Sequence, residues 1–211
     1  SDFMNNERSS TYVPSNYVGI GAIDYTNHPY RYPALNNTFE ELTNIGKKFQ
    51  NSKILTGNSA TIDMINSLSL ENSILHFATH TSSETDPYSP IPSLLISNSK
   101  NYYGYIDLYQ ISNLNLSNSH IILAACDTDS EIFSDQDSLS GFIKSLKNAG
   151  SKSVIATRWD IETSSAEKIV DLYIDSLLDG LSSNDSLIYS QRKLIKEEMH
   201  PYFWSAYFSF N

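Results

Sequence analysis

His80 and Cys126 are the two side chains best suited to covalent chemistry. The first closes the run ILHFATH (74–80), and the second, the only cysteine in the chain, closes SHIILAAC (119–126). An imidazole beside a thiol favours the thiolate, which attacks a carbonyl carbon, and the same imidazole then protonates the leaving amine. Such a dyad needs both side chains within hydrogen-bond reach. Residue type alone leaves a second reading open for each: a free cysteine often serves as a small buried hydrophobe, and a strand-end histidine often finds a carbonyl partner. His76, flanked by Leu75 and Phe77, reads as a packed core histidine.

The elements that would carry these residues come next. Segments 73–79 and 119–126 are apolar and β-rich, as strands buried on both faces are. Both candidate residues then sit at carboxyl ends, beyond which ligands bind in open α/β sheets. Neighbouring strands lie roughly 4.8 Å apart, so adjacency of these two would bring the tips together. Strand and helix patterns alternate along the chain, which predicts an α/β fold with a parallel sheet.

Strands are predicted at 16–24, 52–57, 73–79, 119–126, 153–159 and 203–211, the last at a sheet edge, with a hairpin from 93–97 and 102–106. Helices are predicted at 38–49, 59–69, 107–114, 138–150, 162–180 and 182–198. The first would open with a Thr38–Glu41 capping box and bury Phe39, Leu42, Ile45 and Phe49. Asp107 would open the third. The fourth would bury Leu139, Phe142, Ile143 and Leu146 and stop at Gly150. Ala166, Ile169, Val170, Tyr173, Ile174, Leu177 and Leu178 form the apolar stripe of the fifth.

The 211 residues suit one large domain with a full core. Net charge is 14 − 24 = −10 with no basic cluster, which argues against nucleic acid as a direct ligand. No apolar run approaches the roughly 18 residues of a membrane span, and no signal peptide is evident. A lone cysteine fits a reducing compartment, so a soluble, cytoplasmic protein is expected. Residues 1–15 read as a flexible N-terminal tail or expression remnant, and the absent initiator Met suggests a longer parent chain.

HFATH, the strand closing on AACDT, the Gly-terminated helix leading into SVIATRWDI, and HPYFWSAYF together resemble the CHAT domain, a caspase-like cysteine peptidase family of clan CD type. YVGIGAIDY, YPALNNTFEEL and KILTGNSAT extend the resemblance to about residues 16–211. It implies a caspase-like three-layer sandwich, a six-stranded, mostly parallel sheet flanked by helices. It also implies His80 as general base and acid and Cys126 as nucleophile, with an oxyanion hole from the backbone N–H groups of Thr81 and Cys126. The separation of 46 positions from His80 to Cys126 (126 − 80) agrees with the roughly 50 expected in caspases. No cofactor and no metal are implied.

Arg158, Trp159 and Asp160 would lie near the pocket for the residue preceding the scissile bond, with Asp127 on its rim. Trp159 could equally pack its strand onto the next helix. Basic-specific relatives carry an Asp two residues before the nucleophile, where this chain has Ala124. The acids of DTDSEIFSDQD (127–137), with Glu84 and Asp86, read first as a solvated loop and second as a rim attracting basic substrates. Asp127, Asp129 and Glu131 lack the spacing and glycine of a calcium loop.

The family implies a protein substrate and an upstream repeat or sensor module, with roles in bacterial defence or cell death. Thr81 and Asp129 stand where the family often has glycine, which suggests the alternative of a catalytically degenerate interaction platform. A glutamine amidotransferase would need a tight strand-to-helix turn at its nucleophile, which the polar stretch 128–136 does not offer.

Overall fold

The structure, a computed structural model, describes residues 13–21, 23–25, 32–35, 37–82, 87–88, 93–98, 104–124, 136–159 and 161–211. In chain order the elements are β1 (Asn16–Gly21), α1 (Thr38–Gly46), β2 (Asn51–Thr56), α2 (Ile62–Asn66), β3 (Ser73–Ala78), β4 (Ser93–Leu95), β5 (Tyr105–Asp107) and α3 (Leu108–Ser112). They continue with β6 (His120–Leu123), α4 (Gln136–Asn148), β7 (Ser153–Thr157), α5 (Thr163–Leu178), α6 (Ser183–Lys196), α7 (Pro201–Trp204) and β8 (Tyr207–Phe210).

Six strands form one sheet in the order β2-β1-β3-β6-β7-β8. All pair in parallel except β8, which runs antiparallel to β7 at the edge. Parallel neighbours need crossover connections, and the helices supply them on both faces. β4 and β5 make the expected hairpin, a separate antiparallel pair.

The two-residue period of β3 assigns its side chains alternately to the two faces. Leu75 and Phe77 join Ile121, Leu123 and Val154 beneath Phe142, Ile143 and Leu146 of α4. Ile74 and Ala78 join Ile122 and Ile155 on the opposite face, under Leu42 and Ile45 of α1 and Ile169, Val170 and Tyr173 of α5. Every residue of β3 is buried, as an interior strand of a parallel sheet requires.

Local chemistry explains several boundaries. Asp107 caps α3 as expected: its Oδ1 accepts from Gln110 N at 2.7 Å while Gln110 Oε1 accepts from Asp107 N at 3.0 Å. Gly150, at φ 99°, ends α4 in the left-handed region open to glycine. The side chain of Leu139 lies outside what is described.

Three expectations are corrected. The Thr38–Glu41 capping box does not form: Asn37 is the N-cap without a side-chain bond, Thr38 Oγ1 donates to Leu35 O at 3.2 Å, and the Glu41 side chain is buried. The helix is rotated so that Thr38, Glu41, Leu42 and Ile45 face inward, which leaves Phe39 56% exposed. The last strand begins at Tyr207, because Pro201, at the first helical position where its missing N–H costs nothing, starts α7 through Trp204.

Candidate active site

The site is built where β3 leaves the sheet. Beyond Ala78 the backbone turns to meet the hairpin: Leu95 N donates to His80 O and Ser82 N to Ser93 O, both at 2.8 Å, and Thr81 bridges Leu94. Thr79 Oγ1 donates to Leu95 O at 2.5 Å, so its remaining contact, with Tyr25 OH at 2.7 Å, has the tyrosine as donor. Tyr25 OH in turn accepts from His80 N at 3.4 Å.

The imidazole of His80 is held as firmly. Its Nε2 lies 2.8 Å from Pro33 O, and the rings of Tyr25 and Tyr32 sit with centroids 5.0 and 5.5 Å from its own. A carbonyl oxygen only accepts, so Nε2 carries the hydrogen and Nδ1 is the basic nitrogen of the neutral ring.

His80 and Glu41 share the lining of a small cavity of about 60 Å³ with Thr38, Ala124 and Thr157, at the carboxyl ends of β3, β6 and β7. Gly21, at the end of β1, allows this close packing. A Cβ there would stand 2.4 Å from Ala78 O and 2.7 Å from Thr38 Cγ2.

Beneath the cavity lies a buried polar file. Tyr17 OH is 2.9 Å from His76 Nδ1, and His76 Nε2 is 3.7 Å from Glu41 Oε1. Burial holds His76 down to about 3, while burial and the Glu167 carboxylate push Glu41 up to about 8. Both are therefore neutral at pH 7, and 3.7 Å separates two neutral groups rather than an ion pair. The expectation of a core histidine at 76 holds: it is fully buried, with Tyr17 as partner.

Arg158 and Trp159 follow β7. Arg158 N donates to Ala206 O at 3.0 Å, and its guanidinium lies 5.1 Å from the Phe208 ring centroid. Trp159 Nε1 donates to Tyr202 O at 2.9 Å, and its ring packs on Tyr202 of α7. Cys126, Asp127, Asp129, Glu131, Asp160, Glu84 and Asp86 lie outside the described residues. No group of three or more His, Cys, Asp or Glu side chains among the described residues could hold a metal ion.

The model of the CHAT domain family matches residues 4–210. The chain belongs to the CHAT domain family. No curated protein sequence matches the chain. Among solved structures, the CHAT domain is similar to the Arg specific cysteine proteinase gingipain R (RGPB), at 14% identity and a TM-score of 0.51, covering 98% of this chain and 48% of that one. The complex of Porphyromonas gingivalis RgpB pro- and mature domains matches at 13% identity and TM-score 0.51, covering 98% and 49%. The CHAT domain thus spans about half the length of those chains. At such identity the likeness is one of fold, and it makes the expected caspase-like, mostly parallel six-stranded sheet a finding.

Sequence reasoning named His80 but missed what holds it. Pro33, Tyr25 and Tyr32 come from the Pro- and Tyr-rich segment before α1, which reads only as a loop. Glu41 was hidden by the capping-box spacing. No helix among the described residues is long and apolar enough to cross a membrane.

Proposed function

We propose that this CHAT domain is a cysteine endopeptidase with His80 as general base and acid and Cys126 as nucleophile. The observation that carries this reading is the pairing of β3 with β6. Its partners differ by a constant 46 residues (120 − 74), and Ala124 N still donates to Phe77 O at 2.9 Å beyond the last paired residues. The separation of His80 and Cys126 is the same 46 (126 − 80), so both residues follow the carboxyl ends of two neighbouring parallel strands at equal distance.

In this reading the Cys126 thiolate adds to the scissile carbonyl carbon, and the charge moves onto oxygen. Backbone N–H groups of Thr81 and Cys126 receive that oxyanion, each worth roughly 3 kcal/mol in the transition state. The imidazolium of His80 passes its proton to the leaving amine as the C–N bond breaks. Water then cleaves the thioester, returning a proton to the dyad. Thr81 is not among the described residues with positive φ, so a threonine is accommodated there without glycine's freedom. Arg158, Trp159, Asp160 and Asp127 would contact the substrate around the residue preceding the cut.

The small cavity and the 3% exposure of His80 fit a site opened by an upstream sensor module or partner, as in bacterial defence or cell death. The test is cleavage of a peptide library by the intact protein with its activator. The wild type should cut, and Cys126→Ala and His80→Ala should fall by at least about a thousandfold with unchanged thermal midpoints. Equal residual cleavage by Cys126→Ala would refute the assignment. Slow alkylation of Cys126 by iodoacetamide at neutral pH would favour the degenerate interaction platform instead.

A further inference from the structure

The buried side of α6 is made of Ser183, Ser186, Leu187, Ser190 and Leu194, and its two leucines join the cluster that holds Ile169, Val170 and Tyr173 of α5. Gln191 Nε2 ties the helix to Trp204 O and Tyr207 O, each at 3.1 Å. At about 100° per residue, Ile188, Tyr189, Arg192, Lys193, Ile195 and Lys196 fall on the opposite side. Tyr189 and Ile195 are 45% and 48% exposed, the three cations are exposed, and Ile188 is half-buried. None of the three apolar residues belongs to either hydrophobic cluster. A surface helix ordinarily keeps its apolar residues for the side that faces the core.

The cations of this side are as uncommitted as its apolar groups. Lys193 and Lys196 suit the carboxyl end of a helix dipole. Yet neither they nor Arg192 make an ion pair or a side-chain hydrogen bond among the described residues. Glu197, next in sequence, is held by Lys168 Nζ at 2.5 Å, and Lys193 acts on it only at coulombic range. Asp185, at the other end, accepts from Ser182 Oγ at 2.6 Å. Along the sequence Leu194 and Ile195 separate these charges, whereas the helix closes them into one band. Three of the 14 basic residues within five positions are a local exception in a chain of net charge −10.

The surroundings of the band select its partner. Acids flank it, Asp185 before and Glu197 and Glu198 after. A nucleic acid or an anionic bilayer extends past the band and meets those acids and the negative remainder of the chain. A short segment with acids set between apolar residues meets only complementary groups. We propose that the outer face of α6 docks an acidic amphipathic helix of a partner protein, its carboxylates on Arg192, Lys193 and Lys196 and its apolar stripe over Ile188, Tyr189 and Ile195. The long stems of the lysines and the arginine add to the apolar contact, and the charges set register and orientation. None of these residues lines the cavity at His80, so docking is read independently of cleavage.

Titration of a dye-labelled synthetic helix, with glutamates interleaved with leucines at helical spacing, against the intact protein by fluorescence anisotropy tests this. The same peptide with lysine for each glutamate is the counterpart. The acidic peptide should bind saturably and at least about tenfold tighter than the lysine peptide. Arg192→Glu with Lys196→Glu should weaken the acidic peptide about tenfold or more and strengthen the lysine peptide. Lys47→Glu with Lys53→Glu changes net charge equally beside β2, at the sheet edge opposite β8, and should leave both affinities within about twofold. Ile195→Ser should weaken the acidic peptide about threefold. All five side chains are exposed, so the variants keep the fold, which equal thermal midpoints check. Failure of the acidic peptide to saturate, equal affinity for the two peptides, or an equal loss in both double reversals overturns the proposal. Tighter binding of phosphatidylserine vesicles or of single-stranded RNA than of the acidic peptide overturns it as well.

Discussion

Tyr25 is the hinge of the hydrogen bonds around His80. Its hydroxyl donates to Thr79 Oγ1 and accepts from His80 N, and its ring packs on the imidazole. Tyr25→Phe keeps the ring and removes both bonds, so it should cost about 1–2 kcal/mol in urea unfolding. Under the proposed function it should also lower kcat more than KM, because it loosens the base rather than a substrate contact. Glu41 calls for a different measurement. Its carboxyl is raised to about 8 by burial and by Glu167, above its ordinary 4.5. The folded state therefore binds a proton that the unfolded state has lost, and this stabilisation is complete below pH 4.5 and disappears as pH rises through 8. His76, lowered to about 3 by burial, has the opposite sign: its neutral form supports the fold above 6.5, and that support fades as pH falls toward 3. Comparison with Glu41→Gln isolates the glutamate. Stability of the wild type relative to this variant should fall between pH 5 and 8, by at most about 1.4 kcal/mol per pH unit.

The turn at the end of β1 makes a sharper demand. A methyl group at Gly21 would meet the Ala78 carbonyl at 2.4 Å, and backbone does not give way as a side chain does. Gly21→Ala should cost at least about 2 kcal/mol by denaturant titration, through separation of β1 from the tip of β3. Why some elements were legible and others not follows from the same physics. β3 and β6 announce themselves because interior strands buried on both faces are short, mostly apolar runs rich in β-branched residues, too short for a typical helix. Asp107 opens α3 as its residue type suggests, and the structure adds Gln110 as its capping-box partner. Thr38 and Glu41 have the same spacing, yet the glutamate turns inward beside His76, a neighbour 35 positions along the chain (76 − 41) that no local pattern reveals. Phe39 is exposed for the same reason, since the helix cannot present both residues to the core. His80 was visible as a strand-end histidine, whereas the Pro33 carbonyl that orients it is a backbone group, which any residue type would supply.

Both hydrophobic clusters depend on β3, which is why the domain should respond to damage there as a unit. Phe77 is fully buried against Leu123, Phe142 and their neighbours. Phe77→Ala should lower unfolding stability by about 3–5 kcal/mol, a large part of the 5–15 kcal/mol usual for a domain. The midpoint in urea should drop while the slope stays near that of the wild type. The antiparallel edge strand carries one more implication, for the order of events on the ribosome. Phe210 pairs with Val154, 56 positions earlier, and Tyr207 with Thr157, 50 earlier (210 − 154; 207 − 157). A nascent chain that has emerged only through α6 can lay down five of the six strands, but the outer side of β7 then presents bare peptide groups to any passing strand. Those polar groups stay open until residues 207–210 emerge and pair, and in that interval the growing polypeptide has most need of a chaperone.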